Sequence, residues 1–122
     1  MQASGEWTVV FYVEDSGSSP VGEFLSSLDQ VAYARCMAAI ERLRLVNIRV
    51  GEPLAKKVQG DLWELRRESR GNTYRVFYFF FAGRKIVLLH AFQKKTQRIP
   101  RREIELAQRR LDRFVRREGG DQ

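Results

Sequence analysis

Residues 62–105 read LWELRRESRGNTYRVFYFFFAGRKIVLLHAFQKKTQRIPRREIE. Three strand-like runs follow one another here, Leu62 to Glu68, Thr73 to Ala82 and Lys85 to Phe92, the last two rich in β-branched and aromatic residues. The connections Ser69 to Asn72 and Ala82 to Arg84 are short and each contains a glycine, which predicts antiparallel hairpins. Because side chains alternate along a strand, Arg75 shares a side with Phe77, Phe79 and Phe81, while Tyr74, Val76, Tyr78 and Phe80 point the other way. Both sides are apolar, so both require a cover. One is the core; the other is either a helix of the same chain or a surface for stacked bases or a partner protein.

Working outward, Trp7 to Val13 reads as a first strand. Pro20 sits where a helix begins, with Ser19 as its N-cap, and Phe24, Leu25 and Leu28 give that helix an apolar side. Asp29 caps a second, longer helix whose stripe is Tyr33, Cys36, Met37, Ile40 and Leu43. Gly51 and Pro53 end the helical region, and Leu54 to Asp61 reads as a connector holding Lys56 and Lys57. Pro100 starts a last helix that turns Ile104, Ala107, Leu111 and Phe114 or Val115 inward, and Gly119-Gly120 stops it. This order predicts one α+β domain over residues 1–122: an antiparallel sheet of the N-terminal strand plus a three-strand meander, packed on two N-terminal helices, with a C-terminal helix and one sheet face left open.

The formal charge of +7 is unevenly spread. Residues 1–50 hold four arginines against six acids, a net of −2, so the remainder carries +9 and any attraction to a polyanion belongs to the second half. A lone Cys36 forms no internal disulfide, which suits a reducing cytoplasm. No signal-peptide pattern opens the chain, and the longest apolar run, Val76 to Ala82, is far short of the ~20 residues of a membrane helix. No Cys/His set has metal-ligand spacing and no acidic cluster suits a two-metal nuclease, so neither metal nor other cofactor is expected.

Several cations stand where chemistry on RNA would want them. His90 lies in phase with Phe92 and Lys94, and with Ile86 and Leu88 before them; a lone histidine at the end of an apolar stripe is usually a satisfied, half-buried residue. Lys94, Lys95, Arg98, Arg101 and Arg102 follow at the end of an aromatic strand and the start of a helix, both suited to phosphate. Arg66 and Arg67 point to opposite sides of their strand, and Glu64 is in phase to hold Arg66. The arginines of the last helix (Arg109, Arg110, Arg113, Arg116, Arg117) read as a solvated outer face. RNA carries its own nucleophile, the 2′-hydroxyl, so a protein cutting it need only align that group, neutralise the phosphate and move two protons. Lysine, ordinarily near ~10.4, serves as a base only if burial or neighbouring cations lower it, whereas histidine near ~6.5 needs no such help.

The same stretch resembles the RelE/ParE toxin superfamily, in its phage-derived HigB-like branch, through Trp63-Glu64-Leu65-Arg66, then Tyr74-Arg75-Val76-Phe77-Tyr78, then Leu88 through Ile104. The resemblance is close over the C-terminal half and one of layout over the rest. It implies the toxin of a type II toxin–antitoxin pair that cleaves mRNA on the ribosome and is neutralised by a helix-turn-helix antitoxin. Carried over by motif, the site candidates are Arg66, Arg75, His90, Lys94 and Lys95, with Lys56, Lys57, Arg98, Arg101 and Arg102 as RNA contacts. Two positions depart from the pattern. Ile99 precedes Pro100 where a small capping hydroxyl residue is common, and the GGDQ end lacks the C-terminal tyrosine of some relatives, which would pass any tyrosine role to Tyr74 or Tyr78. Two other readings use the same features: a ParE-like toxin that inhibits DNA gyrase, and a non-enzymatic RNA-binding or phage accessory protein.

Overall fold

In the computed structural model, which describes residues 6–47 and 50–119, eight elements follow in the order β1 (Thr8–Phe11), α1 (Pro20–Ser26), α2 (Gln30–Val46), β2 (Ala55–Gln59), β3 (Leu62–Ser69), β4 (Asn72–Phe81), β5 (Lys85–Lys94) and α3 (Arg101–Glu118). The predicted caps are in place: Ser19 accepts from the Gly22 amide and Asp29 from the Ala32 amide. At α3 the Pro100 cap makes no side-chain hydrogen bond. Ile99 and Ile104, at the two positions of a hydrophobic staple, both pack on the cluster beneath α3 instead. Gly119 closes α3, and Gly120 lies outside the described residues.

The sheet is mixed, in the order β1-β5-β4-β3-β2. β2 to β5 form antiparallel pairs, as the short connections require, and Arg70 and Gly71 both take positive φ in the two-residue turn between β3 and β4. β1 differs from the expected antiparallel arrangement: it lies parallel to β5, Val9 opposite Ile86. The chain reaches that position only after crossing through α1 and α2, and parallel neighbours need such a crossover. The supposed connector 54–61 contains β2, an edge strand whose alternation is broken by a register shift between Lys57 and Gln59. Its lysines are a common guard on an exposed edge.

Two apolar clusters sandwich the sheet. Val21 and Leu25 of α1 and Ala32, Cys36, Ala39, Ile40 and Leu43 of α2 meet Tyr74, Val76, Tyr78, Ile86 and Leu88 on one face. On the other, Ala107, Leu111 and Phe114 of α3 cover Phe77, Phe79, Val87 and Leu89. Thus the face expected to be open is largely closed by α3, and the phenylalanines in phase with Arg75 are its packing partners. On α2 the stripe is rotated from expectation: Ala32 and Ala39 are buried, whereas Tyr33 is 42% exposed. Burying the smaller side brings the helix axis closer to the sheet.

The detail that matters most for function is a bulge in β5. Phe77 faces His90 while Tyr78 faces Leu88, so Leu89 is an extra residue. Leu88 therefore points toward α1 and α2, and Leu89 joins the cluster under α3.

Candidate active site

α3 runs along β4 toward its far end, where Phe114 stacks edge-on against Phe79 and Phe81 at 5.9 and 5.1 Å. The opposite end of the sheet projects beyond the start of α3. Register places Lys56, Glu64, Phe77 and His90 in one cross-strand row on that face, Arg66, Arg75 and Phe92 in the next, and Glu68, Thr73 and Lys94 in the third. His90 was expected in phase with Ile86 and Leu88. The bulge removes it from that stripe and sets its ring between Phe77 and Phe92, at 6.2 and 5.4 Å.

Arg75 and Glu64, each 3% exposed, form an ion pair with Nη1 2.8 Å from Oε1. Glu64 therefore holds Arg75 and not Arg66, its expected partner. Removing either member of such a buried pair costs about 3–5 kcal/mol, because the survivor is left uncompensated. The Nε of Arg75 is buried with no hydrogen-bond partner among the described residues. Arg75, a site candidate from the sequence, thus supplies fixed charge beneath the surface, and Arg66, only partly buried, is nearer to solvent.

Lys94 closes β5 on this cationic floor. Its pKa is lowered by partial desolvation first, then by Arg75, Arg66 and Lys56, with Glu64 opposing. This is the condition under which a lysine can lend itself to proton transfer. Lys57, by contrast, leaves the site: it pairs opposite Trp63 and lies 5.8 Å above that ring, on the face of α1 and α2. Arg67 likewise points to that face, where its charge reaches Cys36.

His90 is fully engaged. Its Nε2 lies 2.5 Å from Oε1 of Glu103, and its Nδ1 lies 3.4 Å from Nη1 of Arg110. Desolvation lowers its pKa and Arg110 adds to that, while Glu103 works the other way. A neutral ring meets both neighbours in one tautomer only, with Nε2–H donating to Glu103 and Nδ1 accepting from Arg110. Tyr74 and Tyr78 are no substitute as proton carriers. Both are buried under α1 and α2, and burial followed by the nearby Glu64 charge pushes the Tyr78 hydroxyl pKa well up.

Beside Lys94, the exposed residues Lys95 and Arg98 lead into Arg101 and Arg102 at the start of α3. A groove of about 790 Å³ opens between this segment, α3 and the edge of the sheet, lined by Gln59, Thr96, Arg98, Arg101, Gln108 and Arg109 among others. Among the described residues none of these three arginines has an ion-pair partner, whereas Arg110 and Arg113 bind Glu14 and Arg117 binds Asp15. The last helix is therefore not simply a solvated basic face: three of its arginines fasten it to the end of β1. Glu103 and Arg110 were missed as site neighbours by sequence reasoning. Only the position of Glu103 within the Pro100-to-Ile104 motif pointed toward it. Among the described residues no three His, Cys, Asp or Glu side chains gather to hold a metal ion, and no helix is long and apolar enough to cross a membrane.

A mixed sheet between helices, with a cationic floor at the free end of its two central strands, is the framework of a RelE-like protein. The family model of phage-derived Gp49-like proteins matches residues 23–112, and the chain belongs to that HigB-like family. It is 30% identical over 105 residues to the probable endoribonuclease HigB1 in two strains of Mycobacterium tuberculosis, a match that covers 86% of this chain and 81% of the relative.

Proposed function

We propose that this chain is the toxin of a toxin–antitoxin pair and that it cleaves mRNA in the ribosomal A site, with the RNA 2′-hydroxyl as nucleophile. Family membership and likeness to a probable endoribonuclease support the toxin and nuclease parts. The observation that carries the chemistry is Lys94, held beside Arg75 and Arg66 with a pKa lowered by partial desolvation first and then by those two charges. In this scheme Lys94 takes the proton of the 2′-hydroxyl, Arg66 and Lys95 meet the phosphate oxygens, and Arg75 stabilises developing negative charge from below. Lys56, Arg98, Arg101 and Arg102 guide the flanking strand. His90 borders the reacting groups. The partner in the cell is a helix-turn-helix antitoxin, as in the branch the sequence resembles.

The chemistry dictates its products, which makes the first prediction. Attack by the 2′-hydroxyl leaves a 2′,3′-cyclic phosphate or its 3′-phosphate upstream and a 5′-hydroxyl downstream. Mapping and end-typing of mRNA fragments from translating ribosomes should show 5′-hydroxyl ends in wild type and none with Lys94→Ala. Fragments bearing 5′-phosphates would mean that water, not the 2′-hydroxyl, was the nucleophile.

A further inference from the structure

His90 and Glu103 both belong to the motif-bearing stretch, and the proposed chemistry needs neither to touch RNA. Their hydrogen bond spans thirteen positions of the chain, and the residues it encloses include Lys94, Lys95, Arg98, Arg101 and Arg102. All the cations of the β5-to-α3 connection thus lie inside one ring closed by one contact. At the His90 end the bulge turns the imidazole onto the α3 face. At the other end Glu103 sits in the first turn of α3, where free amides favour a carboxylate. Arg110, two turns further along, braces the same spot: its Nη1 donates to the Leu89 carbonyl at 2.8 Å and its Nε to Glu14 at 3.1 Å. The bulged backbone and the ring that follows it are therefore held from one helix.

We propose that the His90–Glu103 hydrogen bond, backed by Arg110, is a strap that sets the cationic segment 94–102 in register with RNA, so that His90 and Glu103 are positioning residues. This rests on the RNA-cleaving role proposed above. A half-buried ring with both nitrogens occupied has no free lone pair to offer a 2′-hydroxyl, but it can hold the segment on which Lys94 and Lys95 ride.

The test compares wild type with His90→Ala, His90→Gln, Glu103→Ala and the double His90→Ala/Glu103→Ala variant. Single-turnover cleavage of ribosome-bound mRNA and amide hydrogen-exchange protection at position 103, whose N–H donates to the Pro100 carbonyl at 3.0 Å where the segment enters α3, are measured on each. Each alanine variant should slow cleavage by about tenfold to a hundredfold, the range expected when reacting groups drift by an ångström or less. The double variant should be no slower than the worse single one, because both break the same contact. Gln places its Nε2–H near the position of the imidazole Nε2–H, so His90→Gln should recover most of the rate, and exchange should quicken in the three alanine-containing variants but not in His90→Gln. A His90→Gln protein as slow as His90→Ala with undisturbed exchange would show that the ring transfers protons, and additive losses would show that the two residues act separately; either overturns the strap. Absence of cleavage by wild type would overturn the RNA-cleaving role alone, since the exchange pattern still decides whether the strap holds the segment. Should His90→Ala fail to fold, His90→Gln and Glu103→Ala carry the same comparison.

Discussion

Lys94 gains its proposed role from partial desolvation first and then from neighbours of its own sign. A lysine ordinarily titrates near 10.5, and desolvation, Arg75, Arg66 and Lys56 all lower it. As the proposed base it works only when deprotonated, so cleavage should rise with pH and level off above the lowered pKa. Replacing Arg66 with Gln removes one of the lowering charges, so the pKa moves up and the rising limb moves to higher pH. A pH–rate profile of the two proteins checks the direction. A limb that stays in place while the overall rate drops would leave Arg66 with a phosphate contact and no part in tuning the base. At this scale the sequence was informative about residue types and less so about their pairing. Arg66 and Lys94 were brought together as site candidates by the family motif alone, and Glu64 took Arg75 as its partner because cross-strand neighbours are set by register, which a single strand's pattern does not contain.

Among the elements, the hairpin between β3 and β4 carries a local strain that can be tested. Its two turn residues, Arg70 and Gly71, have φ of 52° and 85°. Glycine adopts such angles freely; arginine does so at a cost, whereas asparagine is tolerated there. Arg70→Asn should therefore stabilise the fold by up to about 1 kcal/mol, read as a higher denaturation midpoint at unchanged slope. An unchanged midpoint would mean that Arg70 makes a compensating contact. The same turn explains why the meander was legible: Gly71 and Gly83 mark the two hairpins, and strong β-formers fill the runs between them. Less legible were β2, whose short apolar pattern is interrupted by its register shift, and the bulge at Leu89. Nothing in the run IVLLHAF announces an extra residue, since Leu88 and Leu89 are equally suited to either face. That one residue moved His90 from an apolar stripe to a hydrogen-bonded position against α3.

At the scale of the whole molecule, the division of charge between the halves is also a division of labour. Acids of the N-terminal half hold cations of the C-terminal half: Glu14 binds Arg110 and Arg113, Asp15 binds Arg117, and the Tyr12 ring lies 5.8 and 5.0 Å from the guanidinium groups of Arg110 and Arg117. This fastens α3 over one end of the sheet and leaves the cations at the other end, near Lys94 and the groove, for the RNA contacts proposed above. Each phosphate contact on a single strand contributes about 0.7 to the slope of log affinity against log salt. For an RNA oligonucleotide made uncleavable by removal of its scissile 2′-hydroxyl, replacing the two proposed phosphate contacts, Arg66→Gln/Lys95→Gln, should make that slope shallower by about 1.4 and weaken binding most at low salt. Arg42→Gln/Arg44→Gln on α2, where Arg44 is already paired with Glu41 at 2.6 Å, should leave the slope unchanged. Equal loss from the two double variants would place RNA on the α1 and α2 side of the sheet and remove Lys94 from the cleavage site.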